Sequence, residues 1–400
     1  MGPGRSTRLE VEAIRVLMHG RKTGSGRLDM HAPKGSQGVQ PPALPCPTHM
    51  RTMRRVNVHN SGPRPSRQVR AILAATRHSG SETASDPGPP CRPAYLALHR
   101  SGELLERARR MWSMMGKCRL CPRECGANRL QGKRGFCGTT GTTLTVSSFH
   151  PHFGEERPLV GTNGSGTIFF SHCSLRCVFC QNWEISMQGC GAERSVEDLA
   201  GMMLWLQRIG CHNINLVTPT HYSAHILKAL DLAAGRDLRL PVVYNTSGWE
   251  RLEILKLLDG IVDIYMPDFK YWDSGMASTY SSGADSYPGV TAEAIVEMQR
   301  QIGSPQYTAE GVMQRGIIVR HLVMPNTVSG SEQIMEWIAK NMKKDIYINI
   351  MAQYRPEYKA HQYPDIARKI TMAEYASVVE KARKLGLTNL DVHTASLMQF

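Results

Sequence analysis

The pattern of apolar and polar positions predicts a series of alternating strands and helices from residue 167 onward. Six short runs have the apolar, β-branched character of buried strands: TIFFS (167–171), NINLVT (213–218), PVVYNT (241–246), IVDIYMPD (261–268), GIIVRHLVM (316–324) and IYINIMA (346–352). Between them, apolar residues recur at helical spacing, and two helices open on capping-box pairs, Ser195 with Asp198 and Thr371 with Glu374. These alternations predict right-handed crossovers and a parallel sheet, either doubly wound or a partial barrel.

The segment before the first strand has two parts of different character. The run LALHRSGELLERARRMWSMM (96–115) predicts one amphipathic helix. Residues 1–95 are rich in Arg, Ser, Gly and Pro and lack sustained apolar periodicity, which predicts a disordered basic leader. We therefore expect three regions: the leader at 1–95, a helix with a cysteine-rich lobe at 96–145, and an α/β barrel at 146–400.

The leader also carries most of the net charge. The chain of 400 residues has a formal charge of +14, of which residues 1–90 supply 14 basic minus 5 acidic, or +9. The rest is weakly charged, which disfavours a nucleic-acid partner. No acidic residue lies between Met50 and Gly80. This stretch could be an organelle transit peptide beginning at Met50 or Met53, or an extension without a role, and both alternatives stay open.

Hydropathy and cysteine usage limit the compartment. The mean hydropathy is -0.31. The chain contains no run of about 18 apolar residues, so we expect no membrane span. Seven of the 11 cysteines form two tight clusters with ligand-like spacing, and no secretory signal opens the chain. We expect a cytoplasmic protein with metal-bound thiolates, or import into an organelle if the leader is a transit peptide.

The more informative cluster is Cys173, Cys177 and Cys180, which follows the first predicted strand. A structural zinc site takes four ligands and a disulfide takes two, so a set of three suits a centre that keeps one position open. Three thiolates can hold three irons of a [4Fe–4S] cluster, and the fourth iron is then free to bind S-adenosylmethionine. The alternatives are a zinc knuckle that borrows a ligand from elsewhere, or three buried thiols.

The second cluster lies upstream and has four members, Cys118, Cys121, Cys125 and Cys137. Four thiolates at this spacing fit a tetrahedral zinc ion or a second iron–sulfur cluster. Neighbouring basic residues would stabilise the negative charge of such a site. The site could fold the lobe or pass electrons to the first cluster, and a disulfide pair is the non-metal alternative.

The motif Cys-x3-Cys-x-aromatic-Cys, with Phe179 as the aromatic residue, resembles the hallmark of the radical S-adenosylmethionine enzymes. The chain more closely resembles their pyruvate formate-lyase activating-enzyme-like group (PflX type) from about Cys118 to Leu390. The runs that carry this resemblance include CRLCPRECGANRLQGKRGFCG, GSGTIFFSHCSLRCVFCQNWEIS, HNINLVTPTHY, VVYNTSGWE, LDGIVDIYMPDFKYWD, IIVRHLVMPN and MAQYRPEYKA. The resemblance implies a partial (β/α)6 TIM-like barrel, a site-differentiated [4Fe–4S] cluster held by the three catalytic cysteines, and reductive cleavage of S-adenosylmethionine to a 5′-deoxyadenosyl radical.

Polar residues at the predicted strand ends are candidates for holding S-adenosylmethionine. Family members often place Gly-Gly-Glu after the second strand to hold the amino group, whereas this chain has NLVTPTH (215–221). The candidates are Phe179 for the adenine, Thr218 and Thr220 for the amino group, Asn245 and Ser247 for the ribose, and Asp268, Lys270 and Arg320 around the carboxylate. Each type also has an ordinary structural role, since such residues make turns and cap helices.

The resemblance also implies partners. An activating enzyme abstracts hydrogen from the Cα of a glycine in a glycyl-radical enzyme, and a flavodoxin or ferredoxin supplies its electrons. Alternatives are radical modification of another protein, an RNA or a metabolite, or a protein without enzymatic activity that carries electrons or uses zinc as a scaffold. The polar strand ends disfavour the last alternative, because a carrier needs no ligand cavity.

Overall fold

The computed structural model describes residues 92–392. Its β-strands, numbered in chain order, are β1 Leu144–His152, β2 Ser165–Phe170, β3 Ala192–Arg194, β4 Ile214–Val217, β5 Val242–Thr246, β6 Ile264–Pro267, β7 Gln306–Tyr307, β8 Met313–Leu322, β9 Tyr347–Met351 and β10 Leu390–Val392. The α-helices are α1 Tyr95–Ser101, α2 Glu103–Ser113, α3 Arg157–Val160, α4 Trp183–Ser186, α5 Val196–Arg208, α6 Ser223–Ala234, α7 Leu252–Leu258, α8 Ser274–Tyr280, α9 Tyr287–Ile302, α10 Ser331–Asn341 and α11 Met372–Lys384. Strands and helices alternate through most of this range.

The sheet is a partial barrel. Its strand order is β10-β9-β8-β6-β5-β4-β2-β1-β3, with β7 paired to β8 off this path. From β2 to β10 all neighbours on this path are parallel and follow one another in chain order. A doubly wound sheet would reverse its order at a switch point, so that alternative is excluded. No pairing among the described strands joins β10 to β1 or β2, and the barrel therefore stays open on that side.

All six predicted strands are present within a few residues of their expected bounds, and β10 adds a short seventh parallel strand. They are buried because helices cover the sheet from outside, which explains their continuous apolar sequences. Both predicted capping boxes also form, at Ser195 before α5 and at Thr371 before α11. The α/β partial barrel expected from the sequence is thus confirmed.

The expected single helix at 96–115 is instead two. Gly102 has φ 79° and ends α1 in the left-handed conformation, with its amide donating to His99 O. Helix α2 then starts at Glu103 and packs against α6 on the outside of the barrel. The periodicity continued across the break because Gly102 faces solvent and interrupts no apolar position.

The antiparallel strands β1 and β3 were not predicted. Strand β1 runs against β2, with His152 opposite Ser165, so the loop after β1 lies at the amino ends of the parallel strands. The division into leader, lobe and barrel remains a prediction. The leader falls almost wholly outside the described residues, as do Met50 and Met53. Within residues 92–392 every helix is too short or too polar to cross a membrane.

Candidate functional site

The three-cysteine loop follows β2 at the carboxyl edge of the parallel strands, where ligands bind in folds of this kind. Two residues of the loop have left-handed backbone, His172 with φ 72° and Arg176 with φ 56°. Left-handed conformations of residues other than glycine are costly, and they concentrate at functional sites where the surrounding structure holds them. Here the amide of His172 donates to Ile185 O at 3.0 Å, which fixes one end of the loop.

Each cysteine sulfur of this loop has a hydrogen-bond partner. The amide of Leu175 donates to Cys173 Sγ at 3.4 Å, and the Ser281 hydroxyl donates to Cys177 Sγ at 3.1 Å. Cys180 Sγ lies 3.1 Å from Ser186 Oγ. Donors aimed at sulfur stabilise thiolates and tune the potential of a cluster bound to them.

Burial raises the pKa of all three thiols, that of Cys177 to about 12. The nearby Lys270 ammonium acts in the opposite direction on Cys177. The thiols therefore carry protons when no metal is bound, and metal binding must displace these protons.

Arg123, from the upstream lobe, holds the three-cysteine loop from behind. Its guanidinium donates to Ser174 O at 3.0 Å and Leu175 O at 3.3 Å, between the first two cysteines, and to the carbonyls of Ser281 and Ser282, each at 2.7 Å. It also stacks on Phe136 and Trp249. One side chain thus ties the loop, the turn after α8 and the upstream lobe together.

A cavity extends from the three cysteines across the carboxyl ends of β4, β5, β6 and β8. Of the residues predicted to bind the cofactor, those that line this cavity are Phe179, Thr218, Asn245, Ser247, Asp268, Lys270 and Arg320. Cys173, Cys177 and Cys180 line it as well. The folded chain therefore gathers side chains that lie up to 180 positions apart, from Cys173 to Gln353, into one pocket.

Charged groups form a network at the ends of β6 and β8 in the same cavity. Lys270 Nζ lies 2.5 Å from Asp268 Oδ2, and Arg320 Nε donates to Asp268 Oδ1 at 2.8 Å. Burial opposes ionisation of Asp268, but Arg320 and Lys270 outweigh it and hold its pKa below the usual range. Burial likewise disfavours the charged forms of Lys270 and Arg320, while the Asp268 carboxylate raises the pKa of both. All three groups are therefore charged at neutral pH.

Thr220 does not line the cavity. It is buried, and its hydroxyl donates to Glu250 Oε1 at 2.5 Å. Thr246 bonds the same carboxylate oxygen. Thr218 faces the cavity with φ 60°, and its amide donates to Asn245 O at 2.9 Å. Of the two threonines predicted to replace Gly-Gly-Glu, only Thr218 lines the cavity.

The upstream cysteines belong to the segment before β1, which contacts the three-cysteine loop through Arg123. Cys118 pairs with the 126–127 turn through two backbone hydrogen bonds of 3.0 Å, and a Cβ built on Gly135 would lie 3.4 Å and 3.5 Å from the sulfurs of Cys125 and Cys137. The fully buried Arg129 reaches Cys118 Sγ at 3.9 Å and donates to His221 O of the barrel at 2.8 Å. Among residues 92–392 no three His, Cys, Asp or Glu side chains already stand at the spacing of one metal ion.

Two groups of residues at this site were not predicted from the sequence. Gln181 and Asn182 line the cavity from just before α4, and Met187 lines it from just after α4. Glu155 and Glu156 approach Arg320 Nη1 from the opposite side, at 3.6 Å and 3.7 Å. The strand before them was not predicted, so nothing indicated that their loop enters the barrel.

Several solved structures match part of this chain. The match to Streptococcus suis SuiB bound to its precursor peptide SuiA has a TM-score of 0.39 and 13% identity, over 56% of this chain and 47% of that chain. The match to methylornithine synthase (PylB) has a TM-score of 0.38 and 12% identity, over 55% of this chain and 68% of that chain. The match to a radical SAM methyltransferase from Sphaerobacter thermophilus has a TM-score of 0.36 and 15% identity, over 57% of this chain and 65% of that chain. The chain thus spans about half of the first of these proteins.

Sequence comparison gives the family. Residues 167–280 match the model of the radical SAM superfamily, and this range contains the three-cysteine loop and most of the cavity. The uncharacterized protein MJ0674 of Methanocaldococcus jannaschii is 33% identical over 281 residues, which cover 68% of this chain and 75% of that protein. Membership implies a [4Fe–4S] cluster and S-adenosylmethionine as cofactors, and three sulfurs on one cavity wall suit three irons of such a cluster. The chain belongs to the radical SAM superfamily.

Proposed function

We propose that this protein cleaves S-adenosylmethionine reductively and uses the resulting radical to abstract hydrogen from the Cα of a glycine in a partner protein, as an activase of the pyruvate formate-lyase activating-enzyme-like group. The observation that carries the first half of the proposal is the shared cavity. The cavity is lined both by Cys173, Cys177 and Cys180 and by the charged Asp268–Lys270 pair.

In this proposal Cys173, Cys177 and Cys180 would hold three irons of the cluster and leave the fourth for S-adenosylmethionine. Such a cluster, when reduced, would supply the electron that cleaves the sulfonium C–S bond to give the 5′-deoxyadenosyl radical. The side chains that line the same cavity would hold the cofactor beside the cluster.

In this proposal, different side chains of the cavity bind the carboxylate, the ribose, the adenine and the amino group of the cofactor. Both Lys270 and Arg320 donate to Asp268, but Arg320 also donates to Asn245 Oδ1 at 2.7 Å, so Lys270 is the better partner for the carboxylate. Asn245 and Ser247 lie where a ribose could bind, and Phe179 offers an apolar face for the adenine. Thr218 and its strained backbone take the position of the family's Gly-Gly-Glu.

The four upstream cysteines enter the proposal as a zinc site or a second iron–sulfur site. Arg123 lies between Cys121 and Cys125 in sequence and donates to backbone carbonyls of the three-cysteine loop. The segment that carries the upstream cysteines is therefore in direct contact with that loop. Metal analysis of anaerobically purified protein distinguishes zinc from extra iron. A second cluster would give the lobe a role in electron entry from a flavodoxin or ferredoxin.

The glycine target is supported by the PflX-type motifs and by the accessibility of the cavity. Gln181 and Asn182 line it and are exposed, so a polypeptide loop can approach the mouth from solvent. Anaerobic capture of partners from source cells, followed by electron paramagnetic resonance, tests this part. A glycyl doublet supports the activase role, and a captured partner without it, or a modified RNA or metabolite, contradicts that role.

The cleavage itself is tested with the purified protein. After anaerobic reconstitution with iron and sulfide, dithionite and S-adenosylmethionine should yield 5′-deoxyadenosine, and Cys177→Ala should abolish the product. Cys211→Ala is the matched control, because Cys211 is also a buried free cysteine but lies outside the cavity. Absence of product from the wild type would favour an electron carrier or scaffold.

A further inference from the structure

A surface beside the three-cysteine loop carries positive charge. We call it the basic patch, and its residues are Lys133, Arg134, Phe136 and Arg176. The first three are exposed and belong to the segment of the upstream cysteines, whereas Arg176 is half-buried and belongs to the three-cysteine loop. Arg134 Nη1 donates to Gly138 O at 2.9 Å, and a Cβ built on Gly138 would lie 2.9 Å from His172 Nδ1. The patch therefore spans the place where the two segments meet.

The charge of the patch is not balanced by nearby carboxylates. No acidic side chain of residues 92–392 forms an ion pair with any of its three cations. Residues 117–140 carry six basic side chains and one acidic side chain. That acidic residue, Glu124, pairs with Arg251 at 2.8 Å, and Glu184 of α4 also has a partner. Cations held together without counter-ions repel one another, so a negatively charged partner is favoured at this surface.

The upstream cysteines do not engage these cations. The guanidinium that reaches one of their sulfurs is that of the buried Arg129, 3.9 Å from Cys118 Sγ. Arg134 instead binds the carbonyl of Gly138, and the Lys133 ammonium has no hydrogen-bond partner among the described residues. The positive charge of the patch is therefore available to a second molecule.

An exposed aromatic ring lies among the arginines. Phe136 has 43% of its surface exposed. The guanidinium carbon of Arg123 lies 4.2 Å from the ring centroid, and that of Arg176 lies 5.9 Å from it. Aromatic and arginine side chains contribute most of the binding energy at protein interfaces, where a surrounding rim of charges gives specificity. The patch thus has the composition of a docking site for a protein with an acidic surface.

The patch is connected to the three-cysteine loop but lies outside the cofactor cavity. Arg123, which stacks on Phe136, donates to the carbonyls of Ser174 and Leu175, between the first two cysteines of the loop. Leu175 lines the cofactor cavity, whereas the four residues of the patch do not. A protein bound at the patch would therefore contact the loop and leave the cavity free for the cofactor and its target.

We propose that the basic patch docks an acidic one-electron carrier protein, of the flavodoxin or ferredoxin class, which reduces the catalytic cluster from outside the cavity. This proposal rests on the proposed function, because reductive cleavage requires one electron for each cofactor molecule while the cavity is occupied. In the step, the carrier is oxidised by one electron and the cluster is reduced by one electron, and no covalent bond forms or breaks.

The first test measures binding without turnover. Titration of the full-length, anaerobically reconstituted protein with a fluorescently labelled flavodoxin should show saturable binding that weakens steeply as salt is added. A basic cytochrome c should not bind. The double variant Arg134→Gln/Arg176→Gln should weaken flavodoxin binding about tenfold or more, and Lys133→Glu should weaken it severalfold. The matched control is Arg208→Gln/Lys340→Gln, which removes the same charge from exposed positions on α5 and α10 and should change binding little.

The second test follows reduction of the cluster by its visible absorbance after rapid mixing under nitrogen. At a subsaturating concentration, reduced flavodoxin should reduce the cluster of the patch double variant about tenfold more slowly than that of the wild type. Photoreduced deazariboflavin, which has no acidic surface, should reduce both at the same rate. Iron per chain is measured for every variant. Lys133→Glu lies outside the three-cysteine loop, so it keeps the test valid if Arg176→Gln lowers the iron content.

Three results would overturn the proposal. They are absence of saturable flavodoxin binding, equal binding by the wild type and the patch double variant, and equal slowing with flavodoxin and deazariboflavin, which would assign the cations to the cluster itself. A polyglutamate peptide or a short single-stranded RNA that binds the patch more tightly than flavodoxin would also overturn it. Formation of 5′-deoxyadenosine with dithionite needs no carrier protein, so that assay tests the proposed cleavage separately from the docking site.

Discussion

Ser281 Oγ donates a hydrogen bond to Cys177 Sγ at 3.1 Å, although the two residues are 104 positions apart in the chain. The same hydroxyl lies 2.9 Å from Tyr271 Oη, and the backbone carbonyl of Ser281 accepts from Arg123. The sulfur in the middle of the three-cysteine loop is thus held by a residue at the end of α8. This contact links the proposed cluster ligand to the barrel and to the upstream lobe at once.

Ser281→Ala should lower the reduction potential of the catalytic cluster. A hydrogen bond to sulfur stabilises the more negative, reduced cluster, and a bond of about 0.5–1.5 kcal/mol corresponds to roughly 20–60 mV for one electron. Electron paramagnetic resonance during a redox titration measures the shift. Ser377→Ala, on an exposed face of α11, is the control, and a potential equal to that of the wild type would exclude the proposed contact with the cluster.

Arg123→Gln should reduce the amount of iron held by the protein and its thermal stability. The guanidinium binds four backbone carbonyls around the three-cysteine loop, and losing this set should cost about 1–3 kcal/mol of unfolding free energy. Arg123→Lys should restore little of the lost iron or stability, since one ammonium group cannot reach the carbonyls of both the three-cysteine loop and the turn after α8. Iron per chain and thermal unfolding under nitrogen measure the effect. Arg119→Gln, at an exposed arginine two residues from Cys121, is the control, and equal losses in both variants would argue against the clamp.

Lys270→Met should weaken the binding of S-adenosylmethionine by about tenfold to a hundredfold, or 1.4–2.8 kcal/mol. The substitution removes the cation available to the carboxylate and leaves Asp268 paired only with Arg320. Equilibrium dialysis with labelled cofactor measures the change, and Lys340→Met on the exposed face of α10 supplies the comparison. If Lys270→Met bound the cofactor as tightly as the wild type, Lys270 would be a structural partner of Asp268 only.

Much of the barrel could be predicted from the sequence because its parallel strands are buried on both faces. Runs such as TIFFS and IYINIMA are mostly apolar and lack the polar–apolar alternation of a strand with one exposed face. Strand β1, LTVSSFHPH, could not be recognised in this way. It pairs antiparallel to β2, is only partly buried, and contains a proline and two histidines.

The candidate site was predictable where the chemistry depends on residue type and spacing. The cysteine triplet, Asp268 and Lys270 carry such a pattern. Thr220 could not be excluded from the site on its sequence position alone. Only the folded chain reveals that its hydroxyl donates to the Glu250 carboxylate. Arg123 and Glu156 were missed as site residues for a similar reason, since their partners are distant in sequence. Gly248 is another case: a Cβ there would stand 2.1 Å from Asp268 O, so two strand ends can approach only at glycine.

Glu250→Gln should stabilise the protein increasingly as pH rises from about 5 to 8. Burial raises the pKa of Glu250 to about 7 from an ordinary 4.5. Between these values the unfolded chain releases the proton while the folded chain keeps it, so the wild type loses stability as pH rises. Over the whole window this loss is about 3 kcal/mol, and the neutral glutamine does not share it.

Urea unfolding of both proteins at several pH values measures this difference. The difference in unfolding free energy between Glu250→Gln and the wild type should increase steadily toward pH 8. The exposed Glu106→Gln serves as the control and should show a small gap that does not vary with pH. A gap for Glu250→Gln that is constant from pH 5 to 8 would mean that the buried carboxyl keeps an ordinary pKa.

The most direct test of the central claim is Mössbauer spectroscopy of protein reconstituted with isotopically enriched iron under strict exclusion of oxygen. The wild type should contain a cubane in which one iron changes its signal when S-adenosylmethionine is added, and Cys177→Ala should lose that response. A spectrum without a cubane, or with a cubane whose irons are all indifferent to the cofactor, would contradict the assignment of Cys173, Cys177 and Cys180 as its ligands.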